Sequence, residues 1–385
     1  MPGCPRVLVH IGLPKTGTTY LQELLWHNRN ALAAEGLLYP GYVHSAHFHA
    51  SVDLLADLYQ DWHEPLVAGA WDRLIEHVRS WSGTSVITSE LLAPAAPAQI
   101  ERVLGDLSFA EVHIVCTVRD LARQIPSGWQ ENVRNRHVED FGQFLAAIRA
   151  DEPNPLGELF WRYQDLPRVL SAWTRQVPAE RVHVITVPRG GSRSLLWQRF
   201  AELLGVSPDV ASSGVDYDNA SLGAPDTEVL RRLNLALPRE VGWPQYASVV
   251  KEYLATKILP RQGRASRIVL PAADLTWVAR RAAEFTRYLT DAGFRVHGEL
   301  DDLLPGGGGC AQPSEPTDGD LLDVAVDALA QLVRQLPANP DRDRPGERLK
   351  SSLREFSEQH KPAMALRKLY WKGKAQVSWG RRRPR

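Results

Sequence analysis

Two glycines frame a short segment near the amino terminus, in the stretch VHIGLPKTGTTYLQELL at residues 9–25. Gly12 and Gly17 have the spacing of the glycines in a G-x-x-x-x-G-K-[ST] phosphate-binding loop. Thr18 occupies the position at which such a loop carries its lysine, and the loop's own lysine, Lys15, comes three residues earlier. The segment therefore has the backbone pattern of a phosphate site with its cationic side chain in a different place.

Lysine is rare in this chain, which makes Lys15 conspicuous. The chain has 45 basic residues, of which 8 are lysines, and the lysines before residue 350 are Lys15, Lys251 and Lys257. An ammonium group is a compact charge that fits inside a loop against one phosphate oxygen, whereas a guanidinium group is wide and planar. The use of lysine in the glycine loop therefore indicates a chemical role.

A glycine loop between a buried strand and a helix can bind one phosphate group through backbone N–H groups and the helix dipole. In the common loop, the lysine after the second glycine reaches the β- and γ-phosphates. Lys15 approaches from the strand side instead, where it could contact the oxygen between the phosphate and a transferred group. The loop thus favours a nucleotide whose single 5′-phosphate is bonded, through an oxygen, to the group that is transferred.

The segment GLPKTGTTYLQ, residues 12–22, resembles the 5′-phosphosulfate loop of the sulfotransferases that use 3′-phosphoadenosine 5′-phosphosulfate (PAPS). The family pattern is P-K-[ST]-G-[TS]-[TS], and residues 14–19 match it at every position. The resemblance implies PAPS as the sulfuryl donor, no metal ion, and a lysine that stabilises the leaving phosphate. The donor-binding residues that it implies here are Lys15, Thr16, Gly17, Thr18, Thr19 and, as the aromatic residue that stacks on adenine, Tyr20. The alternative for Tyr20 is a residue of the hydrophobic core.

A second segment, VHIVCTVRDLARQIPSGWQE at residues 112–131, strengthens the resemblance. In the family, a buried strand ends in an arginine that binds the 3′-phosphate, and a serine follows eight residues later on the next helix. Arg119 and Ser127 have this relation. An arginine at a strand end can form a paired contact with a phosphate dianion, and a serine two helical turns later can add a hydrogen bond. Without the resemblance, Arg119 would be interpreted as a salt-bridge residue.

Transfer of a sulfuryl group to a hydroxyl or an amine needs a base that takes the proton of the acceptor. Glu90, in the stretch VITSELLAP, follows an apolar strand. Cytosolic sulfotransferases place a histidine base at the corresponding strand end, and other branches of the family resemble this chain in using a glutamate. Glu90 is therefore the candidate base. The alternative is that it caps the next helix or pairs with an arginine.

Three histidines, His44, His47 and His49, lie close together in YPGYVHSAHFHA. They could suggest a metal site, but no cysteine and no pair of histidines spaced by four residues supports one. We expect this loop to line the acceptor side, with His47 or His49 assisting Glu90, and we include His47 among the candidate catalytic residues. The alternative is that these are surface histidines without a role.

The elements that must position these residues alternate between strand and helix. Short apolar segments rich in β-branched residues predict four buried strands, at residues 6–11, 84–90, 111–118 and 181–187. The fold class is therefore α/β, a parallel sheet of four to five strands flanked by helices, and the resemblance implies the P-loop-like sulfotransferase fold. Such sheets bind ligands at the carboxyl ends of their strands, and Lys15, Glu90 and Arg119 each follow one.

The helical pattern is less regular than the strand pattern. We expect one helix from Thr18 to about Ala34, helical structure over 51–82, and a helix after Arg119 that Pro126 starts late or kinks. Residues 206–300 predict mostly helices, which we expect to pack on the sheet or to form a lid over the site.

We divide the chain into a sulfotransferase domain at 1–304, a Gly/Pro-rich linker at 305–319, and a helical or partly disordered basic extension at 320–385. The extension begins with a predicted acidic-apolar helix. Its last segment, 361–385, has nine basic residues and no acidic ones, which favours a weak contact with an anionic membrane and otherwise a solvated tail.

The match to the family is incomplete at one place. Cytosolic members close over the 3′-phosphate with a basic, glycine-containing segment near the carboxyl terminus, and this chain has neither of its usual forms. The stretch KILPRQGR, with Lys257, Arg261 and Arg264, is the candidate substitute.

Composition narrows the remaining classes. The net charge is zero, which argues against nucleic acid as a partner, and no apolar run reaches the roughly 18 residues of a membrane span. We expect a cytoplasmic enzyme whose acceptor is a small molecule, a lipid or a carbohydrate. Two alternatives remain open: a P-loop nucleotide kinase or NTPase, although Val118-Arg119-Asp120 is not a clear Walker-B strand end, and a non-catalytic nucleotide-binding module.

Overall fold

The computed structural model describes residues 4–58, 64–190, 192–211, 222–238, 240–262, 267–306 and 315–335. Within these ranges, six strands form one sheet in the order β2-β3-β1-β4-β5-β6, and every pair is parallel. The strands are β1 (Arg6–His10), β2 (Leu37–Leu38), β3 (Thr84–Thr88), β4 (Glu111–Val118), β5 (Val182–Thr186) and β6 (Arg295–His297).

Helices connect the strands and cover the sheet. The α-helices in the described residues are α1 (Thr18–His27), α2 (Arg29–Ala34), α3 (Ala46–Leu54), α4 (Ala70–Arg79), α5 (Pro97–Asp106), α6 (Leu121–Arg134), α7 (Phe141–Arg149), α8 (Pro155–Gln164), α9 (Leu166–Trp173), α10 (Arg193–Leu204), α11 (Ala224–Ala236), α12 (Trp243–Tyr246), α13 (Leu275–Asp291) and α14 (Asp318–Gln335). A π-helix (Ala247–Ile258) continues α12. Short 3₁₀ turns lie at Glu90–Leu92, Ala179–Arg181, Pro208–Ala211, Leu259–Gln262, Ala272–Asp274 and Leu300–Leu303.

The sheet is buried on both faces, as its apolar strands require. Val7 and Val9 of β1 belong to one hydrophobic core, and Leu8 between them belongs to a second core on the opposite face. Large side chains complete the two layers, such as Trp173 in the first core and Phe200 in the second. The prediction of an α/β fold with a parallel sheet between helices is therefore confirmed.

The centre of the sheet determines which loops are neighbours. β1 lies between β3 and β4, so that its last residue, His10, is opposite Thr88 on one side and Val115 on the other. The loops that follow these three strands consequently leave the sheet at the same edge. The segments that contain Lys15, Glu90 and Arg119 begin there.

Several predicted boundaries were wrong. The sheet has six strands instead of four or five. The prediction missed β2 and β6 because they are only two and three residues long and show no periodicity. The predicted helix to Ala34 is interrupted at Asn28, whose side chain donates to the carbonyl of Leu24 at 2.9 Å. The range 51–82 contains the end of α3, non-helical residues and α4 rather than continuous helix.

Pro126 does not delay the helix that contains it. α6 begins at Leu121, because the carboxylate of Asp120 accepts a hydrogen bond from the backbone N–H of Arg123 at 2.9 Å and caps the first turn. The proline then lies inside the helix, in its buried face.

The predicted helices of 206–300 are present as α11, α12, the π-helix and α13. Leu230 of α11 and Val250 of the π-helix join the first core, and both elements pack against α6. The predicted helix after the linker is α14, and it buries Leu321 and Val324 against α11 and the π-helix. Residues 307–314 of the predicted linker and the basic segment 361–385 lie outside the described residues.

Candidate active site

The loop after β1 is fixed to the neighbouring strand. The N–H of Leu13 donates to the carbonyl of Thr117 at 2.8 Å, and the N–H of Thr117 donates back to Gly12 at 2.6 Å. Lys15 has a φ of 67°, and Gly17, at the N-cap of α1, has a φ of 92°. A left-handed conformation is uncommon for a residue with a Cβ, and strained residues of this kind cluster at functional sites. The strain at Lys15 therefore accords with a binding role for this loop.

Two buried glutamines hold the loop from the opposite side. The amide groups of Gln124 on α6 and Gln164 on α8 both donate to the carbonyl oxygen of Pro14, the latter at 3.2 Å. Gln124 also donates to Gln164 at 2.9 Å. These bonds satisfy the Pro14 carbonyl and fix the position of the backbone immediately before Lys15.

A neutral polar layer lies directly beneath the loop. The hydroxyl of Thr16 donates to the carbonyl of Leu13 at 2.6 Å and contacts the hydroxyl of Thr117. The ring of His10 bonds to the hydroxyls of Thr117 and Thr88 at 3.1 and 2.8 Å, and burial lowers the pKa of His10 to about 3. The side chain of Thr16 is consequently engaged inside the protein, so this predicted donor-binding residue has only its backbone to offer a ligand.

The other predicted residues of the loop differ in exposure. The side chain of Thr18 is buried, whereas Thr19 and Tyr20 are half-buried on the first turn of α1. Tyr20 packs against the second core, and burial raises the pKa of its phenol while the charge of Arg193 opposes this shift. A cationic side chain, that of Arg193, therefore lies near Tyr20.

Glu90 lies immediately beside the glycine loop. It begins the 3₁₀ turn that follows β3, and its Cβ would be 3.0 Å from a Cβ built on Gly12. Gln22 of α1 donates to the Glu90 carboxylate at 3.0 Å. Among the hydrogen bonds and ion pairs of the described residues, none joins Glu90 to an arginine, so the salt-bridge alternative is not what the structure shows. The carboxylate is half-buried and oriented by an amide.

Arg119 reaches the loop from the end of β4. Its Nη1 donates to the carbonyl of Lys15 at 3.2 Å, and its buried Nε has no hydrogen-bond partner among the described residues. Burial lowers the pKa of Arg119 to about 10, and the charges of Arg123 and Arg267 act in the same direction against Asp120. The guanidinium therefore remains protonated at neutral pH, and an anion at this position would stabilise its charge and satisfy its free N–H.

Ser127 lies on the face of α6 that touches the loop. Gln124, Ser127 and Glu131 are spaced by three and four residues, so they project from the same side of the helix. Gln124 binds the carbonyl of Pro14, and Glu131 contacts Lys15. Ser127 is half-buried between them on this face, and its hydrogen bond to a 3′-phosphate remains a prediction.

The ammonium of Lys15 lies 2.6 Å from the carboxylate of Glu131. Both side chains are about 30% exposed. Burial disfavours the charged form of Glu131, but the charges of Lys15 and Lys251 outweigh it and hold the pKa of Glu131 at about 2. Lys15 therefore already has an anionic partner, which any bound phosphate must replace or share.

His47, a predicted catalytic residue, has both of its ring nitrogens bonded to backbone groups. Its Nδ1 accepts a hydrogen bond from the backbone N–H of Thr88 at 3.1 Å, and its Nε2 donates to the carbonyl of Pro40 at 2.8 Å. The ring is buried, stacks on Tyr39, and has its pKa lowered by burial to about 4. Because both ring nitrogens are occupied, His47 holds the end of β3, two residues before Glu90, and is not available as a base in this arrangement.

The remaining histidines of that loop pair with carboxylates. Nε2 of His44 lies 2.7 Å from Glu23, and Nε2 of His49 lies 3.3 Å from Glu64. No group of three His, Cys, Asp or Glu side chains within the described ranges is arranged to hold a metal ion.

The candidate 3′-phosphate segment is described only in part. Lys257 is an exposed residue of the π-helix, whereas Arg264 and the side chain of Arg261 lie outside the described residues. Arg267, three residues beyond the QGR stretch, is close enough to lower the pKa of Arg119. The chain beyond the π-helix thus brings a cation toward Arg119.

Four residues of the site were not assigned to the loop from the sequence: Gln22, Gln124, Gln164 and Lys251. A signal was present for Gln124, which precedes Ser127 by three residues on the same helix face. The rarity of lysine pointed to Lys251. Trp129 and Gln130, which precede Glu131 on α6, donate to the carbonyls of Glu139 and Leu222.

Comparison of the chain with protein-family models, with curated proteins and with solved structures finds no match. In the part of the chain that the structure describes, no helix combines the length and apolar character of a membrane span. The geometry of the residues at the carboxyl edge of the sheet is therefore the basis for a functional proposal.

Proposed function

We propose that the chain is a PAPS-dependent sulfotransferase with the P-loop-like sulfotransferase fold, which transfers a sulfuryl group to a hydroxyl or amine of a small-molecule, lipid or carbohydrate acceptor. One observation carries the proposal. Three separate segments that match the family's motifs meet at one edge of a parallel sheet, with Glu90 packed on Gly12 and Arg119 bonded to the carbonyl of Lys15.

The residues present fit an adenosine nucleotide with phosphates at two positions. The glycine loop and the first turn of α1 supply backbone N–H groups for the 5′-phosphate, and Lys15 supplies a charge beside it. Arg119 and Ser127 lie on the β4–α6 side, where the buried Nε of Arg119 lacks a partner within the described residues. These two groups would hold the 3′-phosphate.

The chemistry assigned to each side chain follows from its charge. Glu90 takes the proton of the acceptor while the acceptor's oxygen or nitrogen bonds to sulfur and the bond from sulfur to the phosphate oxygen breaks. Gln22 orients the Glu90 carboxylate for this step. Lys15 stabilises the negative charge that develops on the released phosphate oxygen.

The kinase alternative is less well supported. Asp120, which follows β4 and Arg119, accepts hydrogen bonds from the backbone and Nε of Arg123 and is buried. Its carboxylate is thereby engaged as a helix cap, which leaves the strand end without the free aspartate that a Walker-B position presents.

The decisive test is calorimetric binding of adenosine 3′,5′-bisphosphate, ADP and ATP, each with and without magnesium. We expect micromolar binding of the bisphosphate without magnesium and weak binding of ATP. Lys15→Ala should weaken the bisphosphate on the order of thirtyfold or more, the usual effect of losing one partner of a buried charge pair. Tighter binding of magnesium-ATP than of the bisphosphate would overturn the proposal in favour of a kinase.

A further inference from the structure

Glu131 lies between two ammonium groups that come from distant parts of the chain. Its Oε2 is 2.6 Å from Nζ of Lys15, and its Oε1 is 3.8 Å from Nζ of Lys251. Each carboxylate oxygen therefore faces a different lysine. Two of the three lysines before residue 350 meet at this one carboxylate, although the rest of that region uses arginine.

Lys251 belongs to the π-helix, which packs against α6. Its Nζ donates to Oδ1 of Asn135 at 2.6 Å, and Nδ2 of Asn135 donates to Glu131 at 3.4 Å. Nearby, Arg134 donates to the carbonyl of Ala255 at 3.5 Å. Lys251 thus connects the π-helix to the helix that carries Ser127 and Glu131, and π-helical segments are frequent at functional sites.

The charges of this cluster have a consequence for ligand binding. Glu131 competes with any anion for Lys15, because both bind the same ammonium. Once an anion has taken Lys15, Glu131 becomes a partly buried carboxylate beside a negative ligand, which is strongly unfavourable unless another cation pairs with it. Arg134 acts on Glu131 through its charge, but among the described residues Lys251 is the cation that, besides Lys15, forms an ion pair with it. The side chain of Lys251 is 34% exposed, so it can move.

We propose that Lys251 is a positioning residue that takes over Glu131 when an anion occupies the glycine loop. Without ligand, Glu131 holds Lys15; with ligand, Lys15 turns to the anion, and the pair of Glu131 and Lys251 shortens from 3.8 Å. The exchange keeps every charge paired and draws the π-helix toward α6. It rests on the proposed role of Lys15 in binding the donor, and it makes the affinity of the loop depend on a residue that never touches the ligand.

A double-mutant cycle tests the exchange, with adenosine 3′,5′-bisphosphate and inorganic pyrophosphate as the titrants. The four proteins are wild type, Lys251→Met, Glu131→Gln and the double variant. Lys251→Met should weaken binding about tenfold, because it leaves Glu131 unpaired beside the ligand. Glu131→Gln should tighten binding several-fold, and in that background Lys251→Met should change the affinity by less than about twofold.

A purely structural role for Lys251 predicts a different pattern. In that case Lys251→Met would weaken binding by the same factor whether or not Glu131 is present, and this result overturns the proposal. The proposal is also overturned if Lys251→Met has no effect in either background. Lys251→Arg keeps the charge and should recover most of the affinity lost in Lys251→Met, and this recovery should vanish in the Glu131→Gln background. The melting temperatures of the four proteins show whether each variant is folded.

The two titrants separate this inference from the proposed function. Binding of pyrophosphate without the bisphosphate would overturn the donor assignment, and the same cycle measured with pyrophosphate would still decide the exchange. A wild type that binds neither anion overturns both proposals.

Discussion

Two polar clusters of this protein use buried groups in opposite ways. At the carboxyl edge of the sheet, Lys15, Glu131 and Arg119 carry formal charges. Across β4, β5 and β6, the rings of His113, His183 and His297 form a hydrogen-bonded chain with N···N distances of 2.9 and 3.1 Å. The chain ends on the carboxylate of Glu111, 2.7 Å from Nε2 of His113.

The two clusters differ in whether their donors are satisfied. Both ring nitrogens of His113 and of His183 have partners, and burial lowers the pKa of each ring, that of His183 to about 3. The rings of His113 and His183 are therefore neutral at pH 7, and each of their nitrogens is bonded. Around Arg119, by contrast, buried N–H groups of Arg119 and Arg123 have no partner within the described residues. An incomplete charged cluster favours a ligand, whereas a complete neutral one stabilises the fold.

The strongest test of this contrast removes the candidate base. Glu90→Gln keeps the shape and the neighbour Gln22 but cannot accept a proton, so sulfuryl transfer should fall by about 10²- to 10⁴-fold. Binding of adenosine 3′,5′-bisphosphate should change by less than about twofold, since the proposed mechanism gives the Glu90 carboxylate no contact with the nucleotide. Transfer rates with labelled donor and calorimetric binding measure the two effects, and a variant with full activity would exclude Glu90 as the base.

The next effect concerns selectivity at Arg119. Arg119→Ala should weaken adenosine 3′,5′-bisphosphate about 10- to 100-fold, the range for loss of a charge-assisted contact to a phosphate. Binding of adenosine 5′-monophosphate should hardly change, because that ligand lacks the 3′-phosphate. Equal losses for both nucleotides would place Arg119 at the 5′-phosphate instead. Asp120, which caps α6, is left intact as the structural neighbour.

The smallest expected effect belongs to the histidine chain, and it appears in stability. Because burial lowers the pKa of His183, the unfolded chain binds its proton first as the pH falls. The contribution of neutral His183 to the free energy of unfolding is present above about pH 6.5. It is lost progressively as the pH falls from there toward the folded pKa of about 3. Between pH 7.5 and 5.5 we expect a loss of about 1 kcal/mol from this residue.

Urea unfolding at several pH values measures this loss. His183→Gln should be less stable than wild type at pH 7.5 but should show a smaller decrease on acidification. His10, with its pKa lowered to about 3 by burial, remains as a second acid-sensitive group in both proteins. If the free energy of unfolding had the same pH dependence in wild type and variant, His183 would not titrate as its burial requires. Bisphosphate binding at pH 7.5 should be unaffected by the substitution.

Local sequence patterns were sufficient to predict the features that depend on backbone geometry alone, namely the strands and the edge at which they end. The strands that carry the site were recognised because each is an apolar run of five to eight residues, and parallel strands present their carboxyl ends at one edge. Lys15, Glu90 and Arg119 could therefore be grouped before any contact was known. β2 and β6 escaped notice because two or three residues carry no periodic signal.

Side-chain partners were the limit of the sequence. Nothing local distinguishes His47, which is buried and bonded at both nitrogens, from a histidine that faces a substrate. Its partners are Pro40, seven residues earlier, and Thr88, forty-one residues later. The same limit hid the contact between Lys15 and Glu131, which are 116 residues apart.

The sequence by itself determined the alternation of strands and helices, the glycine loop with its single lysine, and the order of the candidate phosphate and base residues. These follow from backbone geometry and from the fit of an ammonium group to one oxygen, which act over a few residues. Only the tertiary structure decided that Glu131 lies between Lys15 and Lys251. It also decided that Gln22 orients Glu90, and that His47 holds the end of β3 just before Glu90. Those outcomes depend on how far each side chain is removed from water and on which charges the packing brings within 4 Å, and neither quantity is local.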